Sequence, residues 1–331
     1  MTAQTFSGCV VRRSNQGEIT TAIESLPIPE LAEGEVLIRV LWSSLNYKDA
    51  LAATGHPGVV TKFPLVPGID AAGEVVTSRD ERFTSGQSVL VTSYDLGVNR
   101  IGGWGETICV PGDWIVPLPA DFSPRAAMIY GTAGLTAGLS VAALQKHDIT
   151  PLRGEVLVTG ATGGVGSLAV RLLAKLGYKV VAVTGKTQHH ELLKRWGARE
   201  VLGRDALADT SSKPLLKPRY AGVIDSVGGT TLVNGIKQTQ SNGCLAACGL
   251  AGGADLPLTV YPFILRGVTL AGIDSVWCAA PLRREVWRRL GDEWKLQNLD
   301  DEVTEVALGS VTDYVPRILR GEIVGRVIVR M

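Results

Sequence analysis

The segment "VTGATGGVG", Val158–Gly166, carries glycines at the spacing that a phosphate-binding turn requires. Glycines let the backbone approach a pyrophosphate closely, and the N-terminus of a following helix offers unpaired N–H groups and a partial positive charge. Tight turns also need glycine for backbone reasons alone, so the flanking elements matter. An apolar strand is predicted over Glu155–Thr159, the turn over Gly160–Gly166 and an amphipathic helix over Ser167–Leu176. This order favours dinucleotide binding.

The end of the next predicted strand, "VAVTGKT", indicates which dinucleotide binds. An acidic residue about 20 positions after the glycines usually holds a free ribose 2′-hydroxyl. This sequence instead has Thr184, which can donate a hydroxyl, Gly185, which leaves room, and Lys186, which brings a cation. Arg204, after the third strand, can add a bidentate contact to a 2′-phosphate. We therefore expect NADPH, although a single surface cation is more often simply solvated.

Charge and composition exclude several classes of partner. The 331 residues have a net charge of +1 and no basic tail, which argues against nucleic acid and anionic membranes. The uncharged stretch Ala126–Gln145 could just span a bilayer, but its glycines and hydroxyl residues favour a loop and helix packed inside the protein. Five scattered cysteines without Cys-x-x-Cys, and an N-terminus without a signal-peptide core, predict a reduced, cytoplasmic protein. We expect a small-molecule partner.

Two kinds of segment must position the candidate residues. In the first third, short β-rich runs such as "GEVLIRVLWSS" and "SGQSVLVTS" are punctuated by Gly, Pro and Asp, which predicts a small all-β unit. Beyond Ser123, apolar strands, glycine turns and amphipathic helices alternate, as is typical of parallel strands with crossover helices. The region from about Arg125 to Asp274 is predicted to form a doubly wound sheet of six strands. The remaining tail must pack elsewhere.

Several motifs together resemble those of the medium-chain dehydrogenase/reductase superfamily: "VPGIDAAGEV", "YGTAGLTAG", "VTGATGGVG" and "IDSVGG". The longer strings "SSLNYKDALAATG" and "PFILRGVTLAGIDSV" are similar to the acrylyl-CoA reductase branch, a zinc-independent, NADPH-dependent group near the quinone oxidoreductases. The resemblance covers the whole chain. It implies an α/β protein with a GroES-like β-rich catalytic domain over residues 1–124, completed by 275–331, and a Rossmann doubly wound parallel sheet over 125–274 that binds NADPH.

The resemblance also indicates why no metal is expected. Zinc-dependent members of the superfamily hold catalytic zinc with a Cys where this chain has Asn46, and with a His-Glu pair where it has Ile69 and Asp70. An isoleucine cannot bind zinc. The lobe with four closely spaced cysteines that binds structural zinc is absent from the sequence, and the four histidines form no ligand pattern.

Without a Lewis acid, the chemistry must be one that hydride transfer nearly accomplishes, and reduction of a C=C bond conjugated to a thioester fits this requirement. By resemblance, Asn46, Tyr47 and Lys48 occupy the catalytic stretch "LNYKD". Tyr47 is the candidate to lie against the nicotinamide and to orient the substrate or donate a proton to it. Its ring could equally act as a wedge, with water as the proton source. Lys48 could contact the thioester or the cofactor, whereas Asp49 is interpreted as a helix cap.

The resemblance implies further cofactor contacts. Thr162, Gly163, Gly164 and Val165 are expected to contact the pyrophosphate, and Leu250 the adenosine side or ribose. Ile264 and Ser275 are expected near the nicotinamide, and Gly321, before the last strand, is a weaker candidate contact. Without the motif match, Leu250 and Ile264 would be interpreted as core residues. The tail helix carries a basic cluster that could meet the phosphates of coenzyme A or form a solvated face: Arg283, Arg284, Arg288 and Arg289.

The sequence leaves three functions open. Reduction of a short 2-enoyl-CoA, with acrylyl-CoA converted to propanoyl-CoA, fits the motifs best, so an acyl-CoA thioester is the expected partner. A quinone oxidoreductase on the same fold is the nearest alternative, and a cofactor-binding protein without turnover is a third. The apolar segment "GVTLAGI" predicts an edge strand that pairs with a second copy, hence a homodimer.

Overall fold

The computed structural model describes residues 4–119 and 121–331. The chain divides into two compact units. The first contains residues 1–132, 276–291 and 298–331, and the second contains 133–275 and 292–297. The sequence-based boundaries, after residues 124 and 274, lie eight residues and one residue before these divisions.

The described residues form fifteen strands. In chain order they are β1 (Thr5–Arg13), β2 (Ile19–Pro27), β3 (Glu35–Leu45), β4 (Asp70–Ser78), β5 (Ser88–Thr92), β6 (Thr107–Pro111), β7 (Ile115–Pro117), β8 (Glu155–Val158), β9 (Lys179–Val183), β10 (Glu200–Leu202), β11 (Tyr220–Asp225), β12 (Thr239–Ala247), β13 (Thr269–Gly272), β14 (Val303–Ala307) and β15 (Arg326–Arg330).

Eight α-helices connect or flank these strands in the described part of the chain. They are α1 (Tyr47–Ala53), α2 (Pro124–Lys146), α3 (Gly164–Lys175), α4 (His190–Arg195), α5 (Gly229–Lys237), α6 (Tyr261–Arg266), α7 (Ala280–Gly291) and α8 (Val315–Leu319). Short 3₁₀ turns occur between several of them.

The first unit is built on a seven-stranded, mainly antiparallel sheet in the order β14-β15-β3-β4-β5-β7, with β6 paired to β3. A separate hairpin of β1 and β2 lies in the same unit. The tail returns to this unit, because β15 pairs antiparallel with β3 and brings Val327 opposite Leu45. Apolar side chains of these strands form two buried clusters. The end of β3 and the start of β15 are thereby fixed side by side, immediately before α1.

The second unit is a six-stranded parallel sheet in the order β10-β9-β8-β11-β12-β13. This confirms the predicted doubly wound sheet and its strand number. The carboxyl ends of all six strands lie at one edge, where open α/β sheets bind ligands. Strand β8 ends at Val158, one residue earlier than predicted, and α3 begins at Gly164 rather than Ser167. The glycine-rich turn therefore continues directly into the helix.

The uncharged segment predicted to pack inside the protein forms helix α2, which is interrupted at Gly131 (φ 51°, ψ −154°). This helix is long and apolar enough to cross a membrane, but 83% of its most apolar window is buried within the protein. It is accordingly a core helix with a kink. The positive φ at the kink lies where L-residues are disfavoured, which explains a glycine at this position.

Candidate functional site

Helix α1 presents the residues of the "LNYKD" stretch in the first unit. Asn46 is the N-cap, and its backbone N–H donates to Oδ2 of Asp49 over 2.8 Å. The other Asp49 oxygen, Oδ1, accepts from the backbone N–H groups of Gly68 (3.2 Å) and Ile69 (2.7 Å). Asp49 is fully buried, so its carboxylate caps the helix and fixes the next loop, in agreement with the cap interpretation.

Tyr47, the first residue of α1, has the opposite environment. Its side chain is 45% exposed, and its hydroxyl has no hydrogen-bond partner among the residues that the structure describes. The neighbouring Lys48 is half-buried and likewise makes no hydrogen bond or ion pair within that part of the chain. The phenol is thus available to donate or accept a hydrogen bond. The backbone of Tyr47 is fixed, because this residue belongs to the first turn of a helix whose N-terminus is capped.

A buried polar cluster lies behind Tyr47, centred on the carboxylate of Asp70 at the start of β4. Oδ2 of Asp70 accepts from Ser44 Oγ (2.6 Å), Asn46 Nδ2 (2.8 Å) and the backbone N–H of Thr132 (2.9 Å). Oδ1 accepts from the hydroxyl of Thr132 over 2.6 Å. Every one of these hydrogen bonds is donated to the carboxylate, so the side chains of Ser44, Asn46 and Thr132 are held around it.

Arg326, the first residue of β15, completes the cluster. The residue is 4% exposed, and its guanidinium donates through Nη1 to Oδ1 of Asn46 (3.2 Å) and through Nε to the carbonyl of Ile129 (2.9 Å). Nη2 lies 3.9 Å from Oδ2 of Asp70. The Cα of Gly131 faces this ion pair so closely that a Cβ would collide with Asp70. The kink in α2 is therefore also a site of close approach.

The electrostatics of this cluster follow from burying two carboxylates and one guanidinium together. Burial raises the pKa of Asp49 to about 7, the charge of Asp70 adds to the rise, and hydrogen bonds from Asn46 and Ile69 oppose it. Burial lowers the pKa of Arg326, whereas the negative charges of Asp70 and Asp49 oppose this change. The negative charge of Asp70 therefore favours the cationic form of Arg326 and disfavours ionisation of Asp49.

The same residues do not fit a zinc ion. Of the three positions at which zinc-dependent relatives carry ligands, Asn46 has its amide oxygen bonded to Arg326, Ile69 is a buried apolar residue, and Asp70 faces a guanidinium. A buried guanidinium repels a second cation at this place. Within the described residues, no three His, Cys, Asp or Glu side chains are grouped as a metal site would require.

Asn46 was predicted to be catalytic together with Tyr47 and Lys48. The structure places both hydrogen-bonding groups of its amide inside the cluster: Oδ1 accepts from Arg326, and Nδ2 faces Ser44, Asp49 and Asp70. The residue is only 9% exposed. These contacts favour a positioning role for Asn46, whereas direct action on a substrate stays a prediction.

In the second unit, the predicted nucleotide contacts lie at the carboxyl edge of the sheet. Gly163 is the N-cap of α3, and no side chain caps the helix there. The N–H groups of the first helical turn, which includes Gly164 and Val165, lack intrahelical acceptors and provide an anion site. Thr162 Oγ1 lies 3.1 Å from Oγ1 of Thr184, which joins the glycine turn to the end of β9.

The four residues predicted to recognise the 2′-phosphate are also brought to this edge. The buried hydroxyl of Thr184 accepts from the backbone N–H of Lys186 (3.1 Å), so it orders the turn that carries this lysine. The guanidinium of Arg204 lies directly over the Cα of Gly185, where any Cβ would collide with Nε. Arg204 is exposed and makes no hydrogen bond or ion pair with a described residue. A side chain at position 185 would therefore require the Arg204 guanidinium to move from this place.

The structure places the remaining cofactor residues implied by the resemblance in four separate segments. Leu250 (64% exposed) is in the loop after β12, and Ile264 (68% exposed) is on α6. Their exposure contradicts the alternative that they are core residues. Ser275 is half-buried just after β13, and Gly321 follows α8 in the first unit, with open space where its Cβ would lie. Cofactor contact by these four stays a prediction.

Three of the four arginines of the tail helix α7 make contacts within the first unit. Arg283 is 1% exposed and donates through Nη1 to the carbonyl of Thr92 (2.8 Å), with its guanidinium 4.2 Å from the ring centre of Tyr94. Arg288 and Arg289 both pair with Glu285. Arg284 alone is exposed without such a contact in the described chain. The suggestion that Arg283 meets coenzyme A phosphates is therefore wrong, because this side chain is buried.

Sequence reasoning did not identify the role of Arg326. The available signal was an arginine in "VGRVIVR", between a glycine and a run of apolar residues, where a solvated charge is out of place. Asp70 was considered only as a lost zinc-ligand position. The partners of both residues are distant in the chain, so their spacing carried no information.

Two family models match the chain. Residues 32–120 match the alcohol dehydrogenase GroES-like domain, and residues 164–291 match the zinc-binding dehydrogenase model. The second description names zinc, although the residues of this chain do not fit that ion. The first match lies within the β-rich unit, and the second runs from α3 to α7 and includes five of the six strands of the parallel sheet.

Curated relatives align along nearly the whole chain. The chain is 47% identical over 315 residues to a probable acrylyl-CoA reductase of Escherichia coli (strain K12), covering 95% of this chain and 97% of that protein. It is 46% identical over 318 residues to a putative quinone oxidoreductase of Bacillus subtilis (strain 168), covering 96% of each.

Solved structures are equally similar. An oxidoreductase from Salmonella enterica in complex with NADP has a TM-score of 0.94 at 46% identity and covers 98% of this chain and 99% of its own. A Bacillus subtilis protein with NAD bound has a TM-score of 0.95 at 45% identity and covers 99% and 100%. The chain therefore belongs to the medium-chain dehydrogenase/reductase superfamily, in the acrylyl-CoA reductase branch near the quinone oxidoreductases.

Proposed function

We propose that this protein is an NADPH-dependent oxidoreductase that reduces the C=C bond of a short 2-enoyl-CoA, with acrylyl-CoA converted to propanoyl-CoA as its main reaction. The observation that carries this proposal is 47% identity, over 95% of the chain, to a probable acrylyl-CoA reductase. The exposed Tyr47, which follows Asn46 of the buried polar cluster in the chain, supports it.

The residues at the carboxyl edge of the parallel sheet fit NADPH. The N-terminus of α3, without a capping side chain, suits the pyrophosphate. Arg204 over Gly185, with Lys186 on the same turn, supplies positive charge for a 2′-phosphate, and no carboxylate follows β9 to hold a free 2′-hydroxyl. The NADP-bound Salmonella relative is in keeping with this choice.

The proposed reaction adds a hydride to the β-carbon of the enoyl thioester and a proton to its α-carbon. When bound, NADPH supplies the hydride. Negative charge develops on the thioester oxygen, and the Tyr47 hydroxyl, which has no hydrogen-bond partner among the described residues, either donates a hydrogen bond to that oxygen or donates the proton to the α-carbon and regains one from water. The buried cluster beneath α1 holds the tyrosine in place, and Lys48 adds positive charge beside it.

The test is steady-state turnover of the full-length protein, followed by loss of NADPH absorbance, with acrylyl-CoA, crotonyl-CoA and simple quinones. We expect acrylyl-CoA to be reduced fastest and crotonyl-CoA about ten- to two-hundredfold slower, because a surplus methyl group that fails to fit costs about 1–3 kcal/mol. Activity should persist in chelator. Tyr47→Phe should lower kcat roughly a hundredfold if the hydroxyl acts on the substrate, whereas a wedge would tolerate the change.

Quinone reduction is the alternative that a specific observation favours, namely 46% identity to a putative quinone oxidoreductase of Bacillus subtilis. If quinones outpaced every acyl-CoA by orders of magnitude, this activity would replace the proposed one. Failure to oxidise NADPH with any enone or quinone would instead favour a cofactor-binding protein without turnover.

The proposal includes a homodimer formed through the second unit. Strand β13 is an edge strand, with only β12 beside it in the described sheet. Its side chains Thr269, Leu270 and Ala271 are half-buried. An unpaired edge of this kind is stabilised by antiparallel pairing with a second copy. We also place the protein in the cytoplasm, since all five cysteines are free and the long apolar helix is buried.

A further inference from the structure

The guanidinium of Arg326 carries more hydrogen-bonding capacity than the fold uses. Only Nε and Nη1 donate to described residues, to the carbonyl of Ile129 and to Oδ1 of Asn46. Nη2 is buried without a hydrogen-bond partner in the described structure and stands 3.9 Å from Asp70. A side chain kept only for packing would not need a buried positive charge. The contacts instead indicate that this charge orients a neighbour.

That neighbour is the amide of Asn46. Its oxygen faces the cation of Arg326 and its nitrogen faces the carboxylate of Asp70, 2.8 Å away. Rotation of the amide by half a turn would point its N–H groups at the guanidinium and its oxygen at the carboxylate. Both contacts would become repulsive, so the pair Arg326 and Asp70 admits a single orientation of Asn46.

Asn46 transmits this orientation to helix α1. Its backbone N–H is bound by Asp49, its carbonyl accepts from the N–H of Ala50 (3.2 Å), and its amide Nδ2 also lies 3.2 Å from Asp49. The next residue in the chain is Tyr47. The side chain and backbone of Asn46 thus fix the orientation of the first turn of α1, which carries the Tyr47 phenol.

We propose that Arg326 is a positioning residue: by orienting the Asn46 amide, it sets the direction in which Tyr47 presents its hydroxyl to the substrate. This inference rests on the proposed function, in which that hydroxyl acts on the substrate. Arg326 itself touches no reacting atom. A displacement of about 1 Å at a reacting group can cost a hundredfold in rate, so the effect belongs in kcat rather than in KM.

A double-mutant cycle on the full-length protein tests the proposal. The variants are Arg326→Lys, which keeps the charge but loses the planar fork, Tyr47→Phe, and the two together. Arg330→Lys is the matched control, because Arg330 lies at the exposed end of the same strand. Measurements are kcat and KM for acrylyl-CoA, the thermal midpoint, and the dissociation constant of NADPH by fluorescence.

We expect Arg326→Lys to lower kcat at least tenfold and to leave KM and NADPH binding within threefold. In the Tyr47→Phe background the same change should lower kcat less than threefold, since the group it positions is absent. Equal losses of kcat in both backgrounds would overturn the proposal, as would wild-type kcat in Arg326→Lys. The Arg330→Lys control should match the wild type, and a loss there equal to that of Arg326→Lys would also count against the proposal.

A second variant covers the case in which Arg326→Lys fails to fold. Asn46→Ala removes the amide and leaves the ion pair of Arg326 with Asp70, and it should show the same loss of kcat, again small without the tyrosine hydroxyl. Wild-type kcat in Asn46→Ala would overturn the proposal. Absence of acrylyl-CoA turnover in the wild type would count against the proposed function alone, and the cycle would then use the quinone or enone that the wild type reduces.

Discussion

Removal of the guanidinium of Arg204 should shift the cofactor preference of this protein. Arg204 follows β10 at the carboxyl edge of the sheet and lies over Gly185, beside the turn that carries Lys186. A charge-assisted hydrogen bond contributes about 1.5–3 kcal/mol, and each 1.4 kcal/mol or so is tenfold in affinity. Because Arg204 is exposed and therefore screened by salt, we expect the lower end of this range.

In numbers, Arg204→Ala should weaken NADPH binding about tenfold, and the double variant with Lys186→Ala up to roughly a hundredfold. Binding of NADH, which lacks the 2′-phosphate, should change less than about threefold. The assay is fluorescence titration of both cofactors at low and at physiological salt. The NADPH loss should shrink as salt rises, since the interaction is between exposed charges.

Arg199 provides the matched control. It is an exposed arginine immediately before β10, at the amino end of the same strand, whereas Arg204 follows the carboxyl end. Arg199→Ala removes the same charge from the same unit and should leave both affinities unchanged. Equal losses of NADPH and NADH affinity in Arg204→Ala, or equal effects of the two arginines, would refute the assignment of the 2′-phosphate site.

Gly131→Ala should lower the unfolding midpoint by several degrees, because a left-handed backbone costs about 1–2 kcal/mol with a side chain and the new Cβ would collide with Asp70; an unchanged calorimetric midpoint would contradict this. Burial raises the pKa of Asp49 to about 7, so the folded state binds the proton that the unfolded state has lost. Its contribution to the free energy of unfolding is therefore greatest at acidic pH and declines as pH rises through 7, and urea titrations between pH 5 and 8 should show a weaker decline in Asp49→Asn. Ala271→Lys on the β13 edge should convert the proposed homodimer to a monomer in light scattering, and a wild-type protein that is already monomeric at micromolar concentration would rule out the dimer.

The parallel sheet and the glycine-rich turn at its carboxyl edge could be predicted from the sequence because their signals are local. A glycine-rich turn, the alternation of strand and helix, and a cationic turn in place of an acid each lie within a few residues. The local errors concern element ends: β8 ends at Val158 rather than Thr159, and α3, predicted to begin at Ser167, begins at Gly164. Glycine has low helix propensity, but the packing of α3 against β8 and β9 outweighs that preference.

Long-range contacts could not be predicted in the same way. A basic residue in a sequence suggests a solvated side chain, yet Arg283 is buried against Thr92 and Tyr94, which are far from it in the chain. Apolar residues suggest a core, yet Leu250 and Ile264 are largely exposed. In both cases the tertiary environment decides the burial, and no periodicity or spacing in the sequence encodes it.

The buried cluster of Asp49, Asp70 and Arg326 contributes orientation rather than stability. Buried ion pairs contribute little net stability compared with well-packed apolar residues, because removing charges from water offsets their attraction. A protein that retains such a cluster gains a fixed orientation of the groups bound to it, and here those groups are the N-cap Asn46 and the helix that begins at Tyr47. The cluster therefore fixes the part of the first unit that carries the exposed Tyr47 hydroxyl. Conservative substitutions within this cluster should accordingly lower kcat severalfold or more and change the thermal midpoint little.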